Sequence, residues 1–228
     1  GKLQYGFNFI DEGMYMTDGW RMAVGDKLFP DNSTNVTFLY TVFNEYIFKL
    51  NPNITLYGFR KLQYGCAIFS ILLLATSVYR WTHKFWYLPF ALSLFAFTGL
   101  DANGMASNFS YYVYPHFFIT LHIALLLFAL KQQQGIARDV LFALSGICLW
   151  GIGFSLLPLT VTLIGPIILW LLFNRWCLSA QSFSTRDLVA VYLPIILAWC
   201  TFLAMNGVEF FDAAHKMYGY LSEYNQGR

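Results

Sequence analysis

From residue 140 to residue 173 the chain runs for 34 residues without one charged side chain. As a single α-helix this run would measure about 51 Å at 1.5 Å per residue. The hydrocarbon core of a bilayer is roughly 30 Å thick and takes about 20 apolar residues per helix. The run is too long for one span, and Ser155-Leu156-Leu157-Pro158 sets a breaker near its middle. Two short spans joined by a tight turn are expected. Further apolar runs at 64–79, 85–100, 112–130 and 188–205 bring the expected total to six spans. Only 11% of the residues are charged, against roughly 25% in a soluble domain. The expected fold class is all-α, a polytopic membrane protein.

The arginines and lysines decide how the spans are threaded. With two spans in the long run, Arg80, Lys84, Lys131, Arg138, Arg175 and Arg186 fall on one side, with Asp139 and Asp187 among them. The connections on the other side, 101–111 and the turn at Pro158, hold no Lys or Arg. The positive-inside rule then makes the basic side cytoplasmic. A single long span would move Arg175 and Arg186 outside and spoil the pattern. Residues 1–61 are expected to form an outer loop, 62–206 the helix bundle and 207–228 a further outer loop. The membrane would be a bacterial or archaeal inner membrane or that of the endoplasmic reticulum.

Within the outer loop, 11–27 and 36–50 carry aromatic and aliphatic residues at helical spacing, as helices lying in a membrane interface do. Pro30-Asp31-Asn32 separates them, and Asn51-Pro52-Asn53 ends the second. The chain opens at Gly1 without a signal peptide and enters on the outer side, so a preceding span is expected and both ends look cut. The pentapeptide Lys-Leu-Gln-Tyr-Gly at 2–6 and 61–65 has unlike flanks and reads as coincidence. Cys66, Cys148, Cys177 and Cys200 form no CxxC pair and imply no disulfide framework. A net charge of +2 with no basic run excludes a nucleic-acid partner.

Ile10-Asp11-Glu12-Gly13-Met14-Tyr15 is the stretch richest in chemistry. A carboxylate where lipid and water meet can take a proton from an acceptor hydroxyl, or hold a divalent cation beside a lipid-linked phosphate. The same two acids also suit the first turn of a helix, where the dipole favours them. The Asp-Glu opening, a Tyr three residues on, two outer amphipathic helices, the Arg-Lys-Leu-Gln-Tyr-Gly entry and short spans with tight turns together resemble the GT-C superfamily of membrane glycosyltransferases. The likeness is strongest to the branch using polyprenyl-phosphate sugars, which includes protein O-mannosyltransferases and the aminoarabinose transferases of lipid A. Asp11, Glu12 and Tyr15 match that branch's opening. Asp18-Gly19-Trp20-Arg21-Met22-Ala23-Val24-Gly25-Asp26 is similar to its continuing helix, and Trp150-Gly151-Ile152-Gly153-Phe154 to its small-residue fifth span. Two positions depart from the family: Met14 stands where many members have Arg, and Asn35-Val36-Thr37 replaces a Pro-rich approach.

The resemblance implies an inverting transferase that moves a sugar from a polyprenyl-phosphate donor to an acceptor on the outer face. Asp11 would be the general base, Glu12 its support, and Asp101 a second acid in the next outer loop. A turn-forming Asp101-Ala102-Asn103-Gly104 explains the same aspartate without catalysis. Arg21, Arg60 and Lys61 are the candidate cations for the donor phosphate, or snorkel to headgroups. No resident metal site is assigned, though a divalent cation is compatible with the acids. Glu209, Asp212 and His215 at i, i+3 and i+6 form a weaker ligand set, and His116 and His122 read as packing or interface residues. Four sequons, at Asn32, Asn35, Asn53 and Asn108, all fall on the expected outer face. Besides donor and membrane lipids, other membrane subunits are conceivable partners. The alternative function is a GT-C-like scaffold without activity inside a larger complex. A transporter is disfavoured by the lack of charges inside the spans.

Overall fold

A computed structural model describes residues 11–27, 38–83, 113–155, 157–175 and 183–209, together with 211, 212 and 215. Among them every regular element is helical, with seven α-helices and one 3-10 helix. The helices are α1 (Asp11–Ala23), α2 (Phe38–Leu50), α3 (Leu56–Thr82), α4 (Val113–Lys131), α5 (Ile136–Ser155), α6 (Gly165–Arg175) and α7 (Thr185–Asn206). The 3-10 helix, Leu157–Ile164, joins α5 to α6.

Four of these are long and apolar enough to cross a membrane: Leu56–Arg80, Tyr114–Lys131, Ile136–Ser155 and Thr185–Asn206. They absorb the runs expected at 64–79, 112–130 and 188–205 and the first half of 140–173. The run at 85–100 lies outside the described residues. Helix α3 starts well before its apolar stretch, because the Thr55 hydroxyl caps it by accepting from the Gly58 N–H. The boundary drawn at 61/62 from the sequence therefore falls inside one continuous helix.

The long apolar run breaks where the sequence broke it, but not into a tight turn. An eight-residue 3-10 helix follows Ser155. Pro158 and Pro166 each remove a backbone donor, and three side chains take up carbonyl groups around them. Ser155 Oγ donates to the Gly151 carbonyl, and Thr162 Oγ1 donates to that of Leu159 at 2.7 Å. The Tyr192 hydroxyl of α7 donates to the Leu163 carbonyl and faces the Ile167 N–H. It thus sits inside the helical ladder where 3-10 passes into α. At 2.0 Å per 3-10 residue and 1.5 Å per α residue, this segment and α6 reach about 32 Å together.

By the start of α7 the chain is back at the end where α5 begins. Arg138 at the start of α5 holds Asp187 at the start of α7 through two parallel bonds, Nε–Oδ1 at 2.9 Å and Nη2–Oδ2 at 2.8 Å. Beside it Arg186 pairs with Asp139. Two Arg-Asp dipeptides, one in the first turn of each helix, are therefore reciprocally bonded. Asp187 also closes a capping box with Ser184. A single uninterrupted helix through 140–173 would hold these groups a membrane thickness apart.

Helix α5 is the centre of the bundle, with α4 on one side and α7 on the other. Phe142, Leu149, Ile152, Phe183, Val191 and Ile195 form its buried core. Between α3 and α4, Ser77 Oγ donates to the Ala124 carbonyl at 3.2 Å. Between α5 and α7 the backbones nearly touch: a Cβ added at Gly146 would stand 2.1 Å from the Val191 carbonyl oxygen. Helix propensity alone favours alanine by about 1 kcal/mol, yet here the neighbour is backbone and cannot turn away. Gly146→Ala is expected to destabilise the protein by about 1–3 kcal/mol through overpacking, read as a lowered thermal midpoint in detergent. Gly151→Ala meets only the Phe118 ring, at 2.9 Å, which can rotate, and should cost less. Equal midpoints for Gly146→Ala and the parent would show that α7 is not held this close.

Candidate functional site

The polar residues that define the candidate site lie beneath α1 and α2. Helix α2 is bound to the rest of the protein by one face, carrying Tyr40, Asn44 and Phe48 at i, i+4 and i+8, all buried. Tyr40 meets the Tyr114 ring of α4 edge-on at 4.8 Å, and Phe43 bridges Tyr114 and Phe118 at 5.3 and 5.9 Å. Phe48 packs on Phe59 of α3 at 5.2 Å. Aromatic contacts of this kind hold α1 and α2 against the first turns of α3 and α4.

Helix α1 completes the enclosure. A Cβ at Gly19 would lie 2.3 Å from Asn44 Cβ, so only glycine permits this approach of α1 to α2. Asp18, next to it, is 7% exposed. The Tyr114 hydroxyl donates to Asn44 Oδ1 at 3.3 Å, which ties α2 to α4. On α3, Arg60 is 2% exposed and Gln63 is buried one turn further on. Thr41 is buried as well. Asp18, Thr41, Asn44, Arg60 and Gln63 are thus buried polar side chains on α1, α2 and the first turns of α3, with Tyr114 of α4 bonded to Asn44. Away from this face, Glu45 accepts from Lys49 Nζ at 2.5 Å. That bond raises the Lys49 pKa above its ordinary value.

The three basic residues expected to meet a phosphate separate here. Arg60 is buried in the first turns of α3. Arg21 instead pairs with Asp26, Nε–Oδ2 at 2.6 Å, just past the end of its own helix. Lys61 points outward, its ammonium 4.3 Å from the Tyr57 ring centroid. Asp11 and Glu12 form the first turn of α1, but their side chains lie outside the described residues. So do Asp101 and the sequons at Asn32, Asn35 and Asn108. Asp11 and Asp18 are seven residues apart and share a register position on α1. Among the described residues no three His, Cys, Asp or Glu side chains gather in a metal-binding group, and Glu209, Asp212 and His215 are all exposed.

Thr41, Asn44, Gln63 and Tyr114 were not singled out from the sequence. The available signal was polar residues on the apolar stripe of an amphipathic helix: Thr41 and Asn44 lie beside Tyr40 and Phe48, where only a partnered polar group is tolerated. His122, expected as a packing or interface residue, lies between two helices. Its Nδ1 lies 2.8 Å from Ser145 Oγ and 3.0 Å from the Ser145 carbonyl oxygen, joining α4 to α5. No protein-family model, curated protein or solved structure matches the chain.

Proposed function

We propose that this chain is the membrane-embedded part of a GT-C-like glycosyltransferase, moving a sugar from a polyprenyl-phosphate donor to an acceptor on the outer face. The observation that carries this reading is the burial of Arg60 and Asp18 at one end of the bundle. An arginine at the entry of a spanning helix ordinarily extends its head into the headgroup layer. Arg60 is instead only 2% exposed, and a cation enclosed at this end can meet phosphate charge that develops as the sugar departs. Asp11, in register with the buried Asp18, is the general base, with Glu12 and Asp101 supporting the acceptor side. Arg21 and Lys61 are less enclosed than Arg60 and serve the donor less directly.

In this reading α1 and α2 lie along the outer surface, and six spans cross the bilayer, one formed by the 3-10 helix with α6 and one by 85–100. The reciprocal Arg-Asp pairs then mark the cytoplasmic side. Single cysteines at Asn53, Asn108, Gln133 and Arg175, in an otherwise cysteine-free chain, test the threading. The first two are expected to react with an impermeant maleimide from outside and the last two only after permeabilisation. Reaction at Arg175→Cys from the same side as Asn108→Cys would overturn it.

The scaffold reading rests on the pairing of Arg21 with Asp26, which removes one expected phosphate cation. Transfer from a radiolabelled polyprenyl-phosphate sugar, in membranes carrying the full-length protein, separates the two. Labelled acceptor is expected. No transfer to any acceptor, with Asp11 packed against a neighbouring subunit, would establish the scaffold.

A further inference from the structure

Helices α5 and α7 form a frame that is tied at three levels. At one end Arg138 and Asp187 join them through two bonds. Midway their backbones approach at Gly146 and Val191. Towards the other end Phe154 stacks on Trp199 at 4.4 Å, and Trp150 meets Phe202 edge-on at 6.0 Å. Helix α6 is held less fully. It packs on α7 and on its own 3-10 segment, with Trp170 against the core. Ile167, Ile168, Leu171 and Leu172 are exposed.

One hydroxyl joins this span to the frame at its junction. Tyr192 Oη donates to the Leu163 carbonyl and faces the Ile167 N–H. Those two backbone groups are four residues apart, the spacing of a direct α-helical bond. The hydroxyl therefore takes the place of one rung, and a side chain inserted in this way bends a helix. Withdrawing it orphans neither backbone group, because the two can then bond to each other, as lipid requires. Pro166 keeps the Thr162 carbonyl out of any such rung, so the segment cannot anneal into one stiff helix. A Cβ added at Gly165, beside it, would meet open space. Pro194, two residues after Tyr192, interrupts the ladder of α7 at the same level. At 2.0 Å per 3-10 residue, this junction lies about 16 Å into the span, half its length.

We propose that Tyr192 is the latch of a two-state hinge at Gly165–Pro166, inside the membrane. Latched, the span is bent and α6 lies on α7. Released, the rung between Leu163 and Ile167 closes and α6 swings as a unit against the α5–α7 frame. A 3-10 stretch within a longer helix is a frequent setting for a hinge. Each residue that passes from 3-10 to α shortens the span by about 0.5 Å and turns α6 by about 20°. The released state lacks only the bonds of the hydroxyl itself, so the latched state predominates and the other is within reach.

Spin labels at Leu171→Cys and Met205→Cys, both exposed positions, measure the swing of α6 against α7. The full chain, free of other cysteines and held in nanodiscs, is read by double electron–electron resonance. The parent is expected to show one main distance. Tyr192→Phe keeps the ring and loses the hydroxyl, and should raise the share of a second distance about tenfold, the weight of one interhelical hydrogen bond in lipid. Labels at Val140→Cys and Met205→Cys span the frame, and their distance should stay fixed in the same variant. An unchanged α6–α7 distribution in Tyr192→Phe, with the frame distance intact, would overturn the proposal. Should Tyr192→Phe lose the frame distance, Gly165→Ala carries the test. Its methyl has room, and by restricting the backbone at the hinge it should narrow the α6–α7 distribution of the parent. A width unaltered by Gly165→Ala would overturn the hinge in that case.

Discussion

Replacing Arg138 with alanine is expected to remove about 3–5 kcal/mol of folding stability, because it strands the buried Asp187 carboxylate without its partner. Both side chains are almost fully enclosed, at 5% and 2% exposure, so water cannot take over the lost bonds. The effect should not be mistaken for the net value of the pair, since separating two charges from water costs nearly as much as their attraction returns. Arg138→Met with Asp187→Leu leaves no orphaned charge and should recover most of the loss. A residual deficit of about 1 kcal/mol is expected from the missing Ser184 capping box. Arg186→Ala, at an exposed pair, should cost less than about 1 kcal/mol. Steric trapping in bicelles gives the equilibrium free energies. A loss for Arg138→Ala no larger than for Arg186→Ala would show that the pair is solvated.

In the transfer assay, Asp11→Asn is expected to preserve folding and lower sugar transfer about a hundredfold, the usual scale for losing a positioned base. Asparagine keeps the size and the helix-start preference of aspartate, so what is lost is the capacity to accept a proton. Arg60→Met should act differently. It removes the cation while retaining an unbranched side chain, and should weaken both donor binding and turnover. The two defects can therefore be told apart by whether raising the donor concentration restores any rate. Unchanged transfer by Asp11→Asn would take this residue out of the mechanism. Full transfer by Arg60→Met would leave its burial a matter of packing alone.

The apolar rhythm of the chain was legible because a run without charge over lipid-spanning length has few other uses. The break at Ser155–Pro158 was legible for a related reason, the two being one observation about length and proline. Its form was not. A uniformly apolar stretch carries no periodicity, so nothing in it distinguishes a tight turn from a 3-10 helix whose carbonyl is taken by Tyr192, far along the sequence. Arg60 and Lys61 looked alike as adjacent charges at a loop boundary. Helix geometry turns adjacent residues about 100° apart, which sends one inward and the other to Tyr57. The repeated Arg-Asp at 138–139 and 186–187 was in plain view, but reciprocal pairing depends on two helices starting side by side. The cluster at Asn44 and Tyr114 likewise needs α2 to settle on α4 before its members meet.

The reciprocal dipeptides also impose an order on biogenesis. Arg138 and Asp139 leave the ribosome well before their partners, with Arg186 following Asp139 at a sequence separation of 47. Until α7 arrives, α5 stands with Arg138 and Asp139 lacking their ion-pair partners. The intervening 3-10 segment is equally incomplete, since its Leu163 carbonyl awaits the Tyr192 hydroxyl on that same helix. One late element therefore supplies the partners of both α5 and the 3-10 segment, and a nascent chain halted before Thr185 would present both to the insertion machinery at once. A quality-control system that senses unpaired polar groups in lipid would have a single event to await here, the docking of α7 along Gly146.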